Sequence, residues 1–267
     1  MSKQYTADLA SFVTKRDSRK KIATSMKNGM KNNSIIHYLG GTSTQTPFEN
    51  EFEGTDTTFV RYERMKALVP SGYEKVEFNQ KGVNIPASKK LFVNEDFFES
   101  FFDIYGKVQG NENHLWLDFC GLPTESLMDC INYTFFHKDS DIKFKSIYFT
   151  FFLNPRNCKD AKELFSNGEK NIQDRANTLL EKIKSMTDRD DLSFEVFDTY
   201  MNFKSPMAVL KIERRENIED MSKTASVDNY VNLHKRGFTN KQIAVFWKAG
   251  IMQVAGYAAS AKRQKLI

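Results

Sequence analysis

Cysteine is scarce in this chain. It occurs three times in 267 residues (Cys120, Cys130, Cys158), an odd number without CxxC spacing, which argues against a disulfide framework or a zinc knuckle. Long hydrophobic runs are missing too: no segment approaches the roughly 20 uncharged apolar residues that a spanning helix needs. The opening stretch MSKQYTADLASF lacks the continuous apolar core of a secretion signal. These absences lead to the expectation of an intracellular protein, cytoplasmic or nuclear, with no membrane partner and no metal. Acidic residues are absent from one end: beyond Asp228 there is none, while seven Lys/Arg remain. Residues 1–33 hold eight Lys/Arg against two acids and residues 214–267 hold ten against four, so each end carries +6. The middle, 34–213, is left with −7 within a net charge of +5. Charge segregated in this way suits a polyanion such as DNA or RNA; solvated basic ends are the plainer reading.

What is present is a core-forming composition, 40% hydrophobic and 27% charged, with 23 phenylalanines gathered in short apolar runs. A helix is expected over 6–32, with Leu9, Phe12 and Val13 and then Ile22 and Met26 at helical spacing and the run KRDSRKK between them as its wet, basic part. From residue 34 apolar runs alternate with amphipathic stretches. Strands are expected at Ser34–Leu39, Thr57–Tyr62, Leu91–Val93, His114–Asp118 and Phe144–Leu153. The intervening helices are read around Phe48–Phe52, at Glu95–Tyr105 capped by Asn94, from Thr124 and Ser126 through Phe136, and over 158–186. Residues 64–88 are poorly patterned, broken by Pro70, Gly72, Gly82 and Pro86. Phe194–Phe203 and Met207–Ile212 are separated only by Lys204-Ser205-Pro206, too short a gap for a helix, so they pair antiparallel. The expected architecture is α/β: strand–helix units forming a mostly parallel sheet covered on both faces, then a terminal hairpin. Three parts follow: a basic helical arm (1–33), an α/β domain (34–213) and a basic helical extension (214–267).

Such a sheet resembles the Rossmann-like class I S-adenosylmethionine-dependent methyltransferases, and four motifs over residues 34–213 carry the likeness. The strand IIHYL runs into Gly40-Gly41, followed by Thr42, where the family's glycine-rich turn approaches the methionine part of the cofactor; the full GxGxxG pattern is absent. Glu63, followed by Arg64, ends the second strand, where the family places an acid that accepts from both ribose hydroxyls. A surface glutamate paired with Arg61 or Arg64 is the alternative. Asn94, Glu95 and Asp96 follow the third strand, where the resemblance implies contact near the adenine amino group and helix capping is the competing role. HLWLDFCGLP ends the fourth strand where amino methyltransferases place an acidic or Asn residue and an aromatic that hold the target amine. Asp118 and Phe119 match that position, with Asp118 orienting the amine or taking its proton. The strand followed by Asp-aromatic-Cys-Gly resembles archaeal and phage methyltransferase-like proteins, and the resemblance implies a divergent viral, phage or archaeal-like member. Cys120 reads as packing rather than as a cytosine-type nucleophile, since no base or positive field is evident beside it.

In the C-terminal segment Thr239-Asn-Lys-Gln242 is a capping box that opens a helix through Phe246. Lys248-Ala-Gly250 makes a turn, Met252–Arg263 a second helix, and Asp228–His234 a preceding one. This is a helix-turn-helix arrangement. In that reading Gln253, Gly256, Ser260 and Lys262 face a groove, while Ile243, Phe246, Val254 and Tyr257 pack. Arg236, Lys241, Lys248, Arg263 and Lys265 would lie near phosphates. The sequence therefore leads to two expectations. One is a methyltransferase acting on a nucleic-acid amine, with S-adenosylmethionine as cofactor and room for a partner subunit. The other is a non-catalytic nucleic-acid-binding protein on a degenerate methyltransferase scaffold.

Overall fold

Runs rich in β-branched and aromatic residues that are apolar on both faces form strands only where both faces are covered. That is how β1 (Ser34–Leu39), β2 (Thr57–Tyr62), β7 (Glu112–Asp118) and β8 (Ser146–Phe152) are arranged. The computed structural model describes residues 13–40, 47–64, 68–108, 110–119, 121–137, 140, 142–154, 159–166, 171–187, 189, 191–202, 205–215, 225–235, 239–247 and 249–267. The chain divides into two compact units, Met1–Arg214 and Arg215–Ile267.

In the first unit the remaining strands are β3 (Glu74–Lys75), β4 (Glu77–Asn79), β5 (Gly82–Asn84), β6 (Lys90–Val93), β9 (Leu192–Asn202) and β10 (Ser205–Arg214). Eight of the ten described strands form one sheet in the order β3-β6-β2-β1-β7-β8-β10-β9, and β4 pairs with β5 in a separate small sheet. Pairing is parallel from β3 across to β8. It becomes antiparallel at β10, which pairs with β8 on one side and β9 on the other. Counting only the main parallel strands in chain order, β6-β2-β1-β7-β8 reads 3-2-1-4-5, the order of a doubly wound Rossmann-like sheet. The mostly parallel sheet with a terminal antiparallel hairpin is therefore observed.

Alternation along the strands separates two cores. Ile35, Val60, Leu115, Ile147 and Leu210 face one side, covered by α3 (Phe97–Ile104), α4 (Glu125–Ile131) and α6 (Ile172–Ser185). Ile36, Phe59, Trp116, Tyr148 and Val209 face the other. That face is covered by α1 (Val13–Gly29) through Ile22, Ala23 and Met26, and by the short α2 (Pro47–Asn50) through Phe48.

Three local differences from the sequence reading have clear causes. The connection from β2 to β6, poorly patterned in sequence, contains the short strands β3, β4 and β5 among its described residues, interspersed with the Gly and Pro breakers. Helix α3 starts later than expected, because Asp96 rather than Asn94 caps it, its carboxylate accepting from the Phe98 N–H. Asn94 instead donates through Nδ2 to the Glu63 carbonyl at 2.8 Å. The single helix expected over 158–186 is α5 (Lys159–Leu164) and α6, and between them Asn171 caps α6 by accepting from the Asp174 N–H.

Among its described residues the second unit has three helices, α7 (Val227–Lys235), α8 (Asn240–Phe246) and α9 (Ile251–Arg263), around Tyr230, Leu233, Ile243, Val254 and Ala261. Tyr230 donates to the Asn240 side chain at 2.8 Å and Tyr257 to the Ala225 carbonyl at 3.2 Å. Helix α9 starts at Gly250 without a side-chain cap.

Candidate functional site

From β1 the chain proceeds to β2 and β6 on one side, then returns to β7 and β8 on the other. The topological switch point therefore lies between β1 and β7, and ligands of open α/β sheets bind beyond the carboxyl ends of the strands at that point. Tyr38 of β1 pairs with Trp116 of β7. Two residues further on, Gly40 and Asp118 stand at the two rims of the crevice.

On the β1 rim, Gly40 donates its N–H to the Tyr62 carbonyl at 3.3 Å. A Cβ at Gly40 would meet Arg61 Cγ and Cδ at 2.6 Å. Arg61 is fully buried and donates through Nη2 to the Gly40 carbonyl at 3.2 Å. The glycine is thus required by the arginine packed against it. Gly41 and Thr42, the other residues expected to hold a cofactor on this turn, lie outside the described residues. On β2, Glu63 is buried at the sheet's carboxyl edge, and its N–H donates to the Val93 carbonyl at 2.9 Å. Arg64 is exposed and approaches Asp96 at 3.9 Å. Glu95 is exposed, and Asp96 serves as the α3 cap. Glu63, Asn94 and Asp96 thus cluster at one rim, the capping role of Asp96 being observed.

The β7 rim differs from expectation. Asp118 is not open to solvent: Lys15 Nζ lies 3.1 Å from its Oδ2, with the two side chains only 9% and 5% exposed. Arg19 Nη2 approaches the same oxygen at 3.9 Å, and its guanidinium lies over the Trp116 ring, 5.5 Å from the centroid. The run expected to be the wet part of the first helix therefore turns two of its cations inward, because a buried carboxylate must be paired. Arg16, by contrast, remains exposed. Phe119 packs against the core on the opposite face. Its ring is nearly parallel to those of Phe98 and Phe149, at 5.9 and 6.0 Å. Asp118 and Phe119 are neighbours in sequence, yet their side chains go to opposite sides of the sheet and do not form one clamp. Cys120 lies outside the described residues.

Two buried polar clusters have no sequence signature. His37 bonds Tyr62 Oη through Nδ1 at 3.0 Å and Asn113 Oδ1 through Nε2 at 3.1 Å. Since an amide oxygen only accepts, Nε2 carries the proton and Nδ1 accepts from the tyrosine. Burial lowers the His37 pKa to about 4 despite the Asn113 bond, so the ring is neutral. On the other face, Glu49 of α2 is buried among the hydroxyls of Tyr38 and Tyr73 and lies 3.5 Å from Lys90 Nζ. Burial, with Glu49 nearby, drives the Tyr38 and Tyr73 hydroxyls well above their usual range. An open groove of about 550 Å³, lined by Lys20, Lys21, Thr24, Asn28 and Phe197 among others, contains none of the rim residues. The strand order, rather than this groove, locates the candidate site.

In the second unit Lys241, Gln253, Gly256, Lys262 and Arg263 are exposed, while Ile243 and Val254 are buried. Gln253, Gly256, Ser260 and Arg263 recur at helical spacing on one face of α9, and Arg263 donates to the Ser260 hydroxyl at 3.2 Å. Arg236 and Lys248 lie outside the described residues.

No protein-family model matches the chain, and no curated protein sequence matches it. Among solved structures, the Mtq2–Trm112 complex of E. cuniculi, responsible for methylating the translation termination factor eRF1, is similar at 5% identity. It covers 74% of this chain and 94% of that one, with a TM-score of 0.36. Cofactor-bound Rv0187 from MTB is similar at 7% identity over 81% and 84%, with a TM-score of 0.39. A cyclopropane-fatty-acyl-phospholipid synthase-like protein from Lactobacillus casei is similar at 6% identity over 74% and 90%, with a TM-score of 0.37. No helix among the described residues is long and apolar enough to cross a membrane.

Proposed function

We propose that the chain is an S-adenosylmethionine-dependent methyltransferase acting on an amine of a nucleic acid, with its chemistry at the β1–β7 crevice. The observation that supports this reading best is the placement of Gly40, Glu63 and Asp118 at the carboxyl ends of β1, β2 and β7, around the switch point of the sheet. A buried carboxylate just beyond β2, the strand beside β1, suits the two hydroxyls of a ribose, and the Glu63 backbone is pinned on both sides by Val93 and Asn94. Gly40, with Gly41 and Thr42 beyond the described residues, would hold the methionine part, and Glu95 and Asp96 would be on the adenine side. When bound, the donor supplies a sulfonium-activated methyl group. The chain's own residues orient the acceptor nitrogen and remove its proton, the work assigned to Asp118. The exposed residues Lys241, Gln253, Lys262 and Arg263 of the second unit would engage DNA or RNA in a helix-turn-helix manner.

A second reading, a nucleic-acid-binding protein on a methyltransferase scaffold without activity, is favoured by one observation: cations of the chain itself already occupy the Asp118 carboxylate. Titration calorimetry of the full chain with S-adenosylmethionine and S-adenosylhomocysteine separates the two. Saturable binding, weakened at least tenfold by Glu63→Ala as expected for a lost charge-assisted hydrogen-bond pair (about 1.4 kcal/mol or more), supports the enzyme. Absence of binding by the folded protein sinks it and leaves the scaffold.

A further inference from the structure

At the rim where the preceding reading places an acceptor amine, the chain presents an amine of its own. Lys15 Nζ sits 3.1 Å from Asp118 Oδ2, inside a site where both side chains are almost wholly covered. The contact is not an incidental surface pair. It lies one strand from Gly40, at the switch point, on the face covered by α1. The helix that delivers Lys15 is fixed at several places. Ile22, Ala23 and Met26 are buried in the second core, and Lys21 pairs with Asp198 at 2.7 Å. Thr14 donates to the Met201 carbonyl at 2.8 Å, and Ser25 receives the Tyr148 hydroxyl at 2.7 Å. Arg19 reaches the same carboxylate oxygen from one turn further along the helix while lying over Trp116, so Asp118 is held from two sides.

We propose that Lys15 is a modification site of the chain itself: its side-chain amine occupies the acceptor position at Asp118 and takes the methyl group in cis. The inference rests on the methyltransferase reading above and adds to it an acceptor class, a primary alkyl amine. The step balances. The Lys15 ammonium passes one proton to the Asp118 carboxylate, and its lone pair forms the new N–C bond as the donor's S–C bond breaks. The bonding pair returns to sulfur, which leaves as a neutral thioether. The methylated amine keeps its two remaining protons and carries the positive charge, and Asp118 later releases its proton to water. Asp118 acts on the reacting nitrogen directly; Arg19 is a positioning residue that holds the carboxylate.

Two readouts on the full chain test this. The first needs no donor: limited labelling with an amine-reactive reagent, resolved by peptide mass. Lys15 is expected to react about tenfold or more slowly than exposed Lys20, because labelling must await local opening, and Asp118→Asn is expected to abolish most of that protection. Equal labelling of Lys15 and Lys20 in the unaltered chain overturns the proposed occupancy. The second is incubation with S-adenosylmethionine carrying an isotopically labelled methyl group. The mass of one or more methyl groups is expected on the Lys15 peptide, lost in Asp118→Asn and absent from that peptide in Lys15→Arg, which keeps the cation and the fold. Donor binding by calorimetry without any methyl gain on Lys15 overturns this proposal and leaves the methyltransferase reading intact. Failure to bind donor overturns both.

Discussion

A histidine with no solvent contact must either find a counter-charge or stay neutral, and His37 stays neutral. Tyr62 and Asn113 satisfy both ring nitrogens, and the Phe101 ring meets it edge-on at 5.2 Å. The pKa of about 4 in the fold against 6.5 for an unburied histidine gives a direction for stability. The native state resists the proton that the unfolded chain takes up, so the contribution is complete above pH 6.5 and is lost as pH falls toward 4. The full loss is about 3 kcal/mol. Urea unfolding at pH 7, 6 and 5 is expected to show a decline that His37→Gln largely flattens. An unchanged slope in the variant would assign the decline to other groups. Glu112 is not one of them: burial raises its pKa, but bonds to His114 and the Lys31 N–H outweigh that and hold it low, so its effect appears only below the pH 5–7 range of this test. At this scale little was legible beforehand. Asp118 and Glu63 stand out because they end apolar strands, a local signal. Lys15 and Arg61 do not, since what commits them is a partner brought close only by the folded sheet. Nothing in KRDSRKK distinguishes the buried cations from the wet ones.

Between residue and fold, the helix α3 tests how one short motif serves two ends. Its apolar face buries Phe97, Phe101 and Ile104, and Asp96 closes its first turn by accepting from the Phe98 N–H at 3.0 Å. Asp96→Ala is expected to lower stability by about 1 kcal/mol, the usual loss for a removed cap. If Asp96 does nothing else, donor affinity measured by calorimetry stays within a factor of two of the unaltered chain. A drop as large as that expected for Glu63→Ala would give Asp96 a direct role on the adenine side. Elements of this kind explain which parts of the fold could be read. Strands β1, β2, β7 and β8 are apolar on both faces, and Thr124 announces the start of α4, so tertiary structure and local pattern agree there. Strands β3, β4 and β5 are two or three residues long and largely exposed. They leave no periodicity to count: β3 takes its place from the edge that β6 offers, and β4 and β5 pair with each other in a separate sheet.

Charge is the property that belongs to the molecule as a whole, and its two basic ends have different fates. At the N-terminal end, cations of α1 are spent on Asp118 and Asp198 within the first unit. In the second unit, Lys241, Lys262 and Arg263 are exposed and no acidic residue follows Asp228, so the positive field there is uncompensated along the sequence. If that face meets phosphates, the affinity of the full chain for a duplex falls linearly with salt on logarithmic axes, by about 0.9 in slope per phosphate neutralised. Reversing all three residues to glutamate is expected to weaken binding in fluorescence anisotropy and to flatten the slope by roughly two to three. The control is Lys159→Glu, at an exposed lysine on α5 of the first unit, which should leave both unchanged. A loss in Lys159→Glu about one third of that in the triple variant, in proportion to the charge each one reverses, would mean that only net charge matters. An unaltered slope in the triple variant would move the nucleic-acid contact away from α8 and α9. Gln253→Ala then separates grip from choice: a residue facing base edges changes the ranking of duplex sequences, whereas one near the backbone lowers affinity for all of them alike.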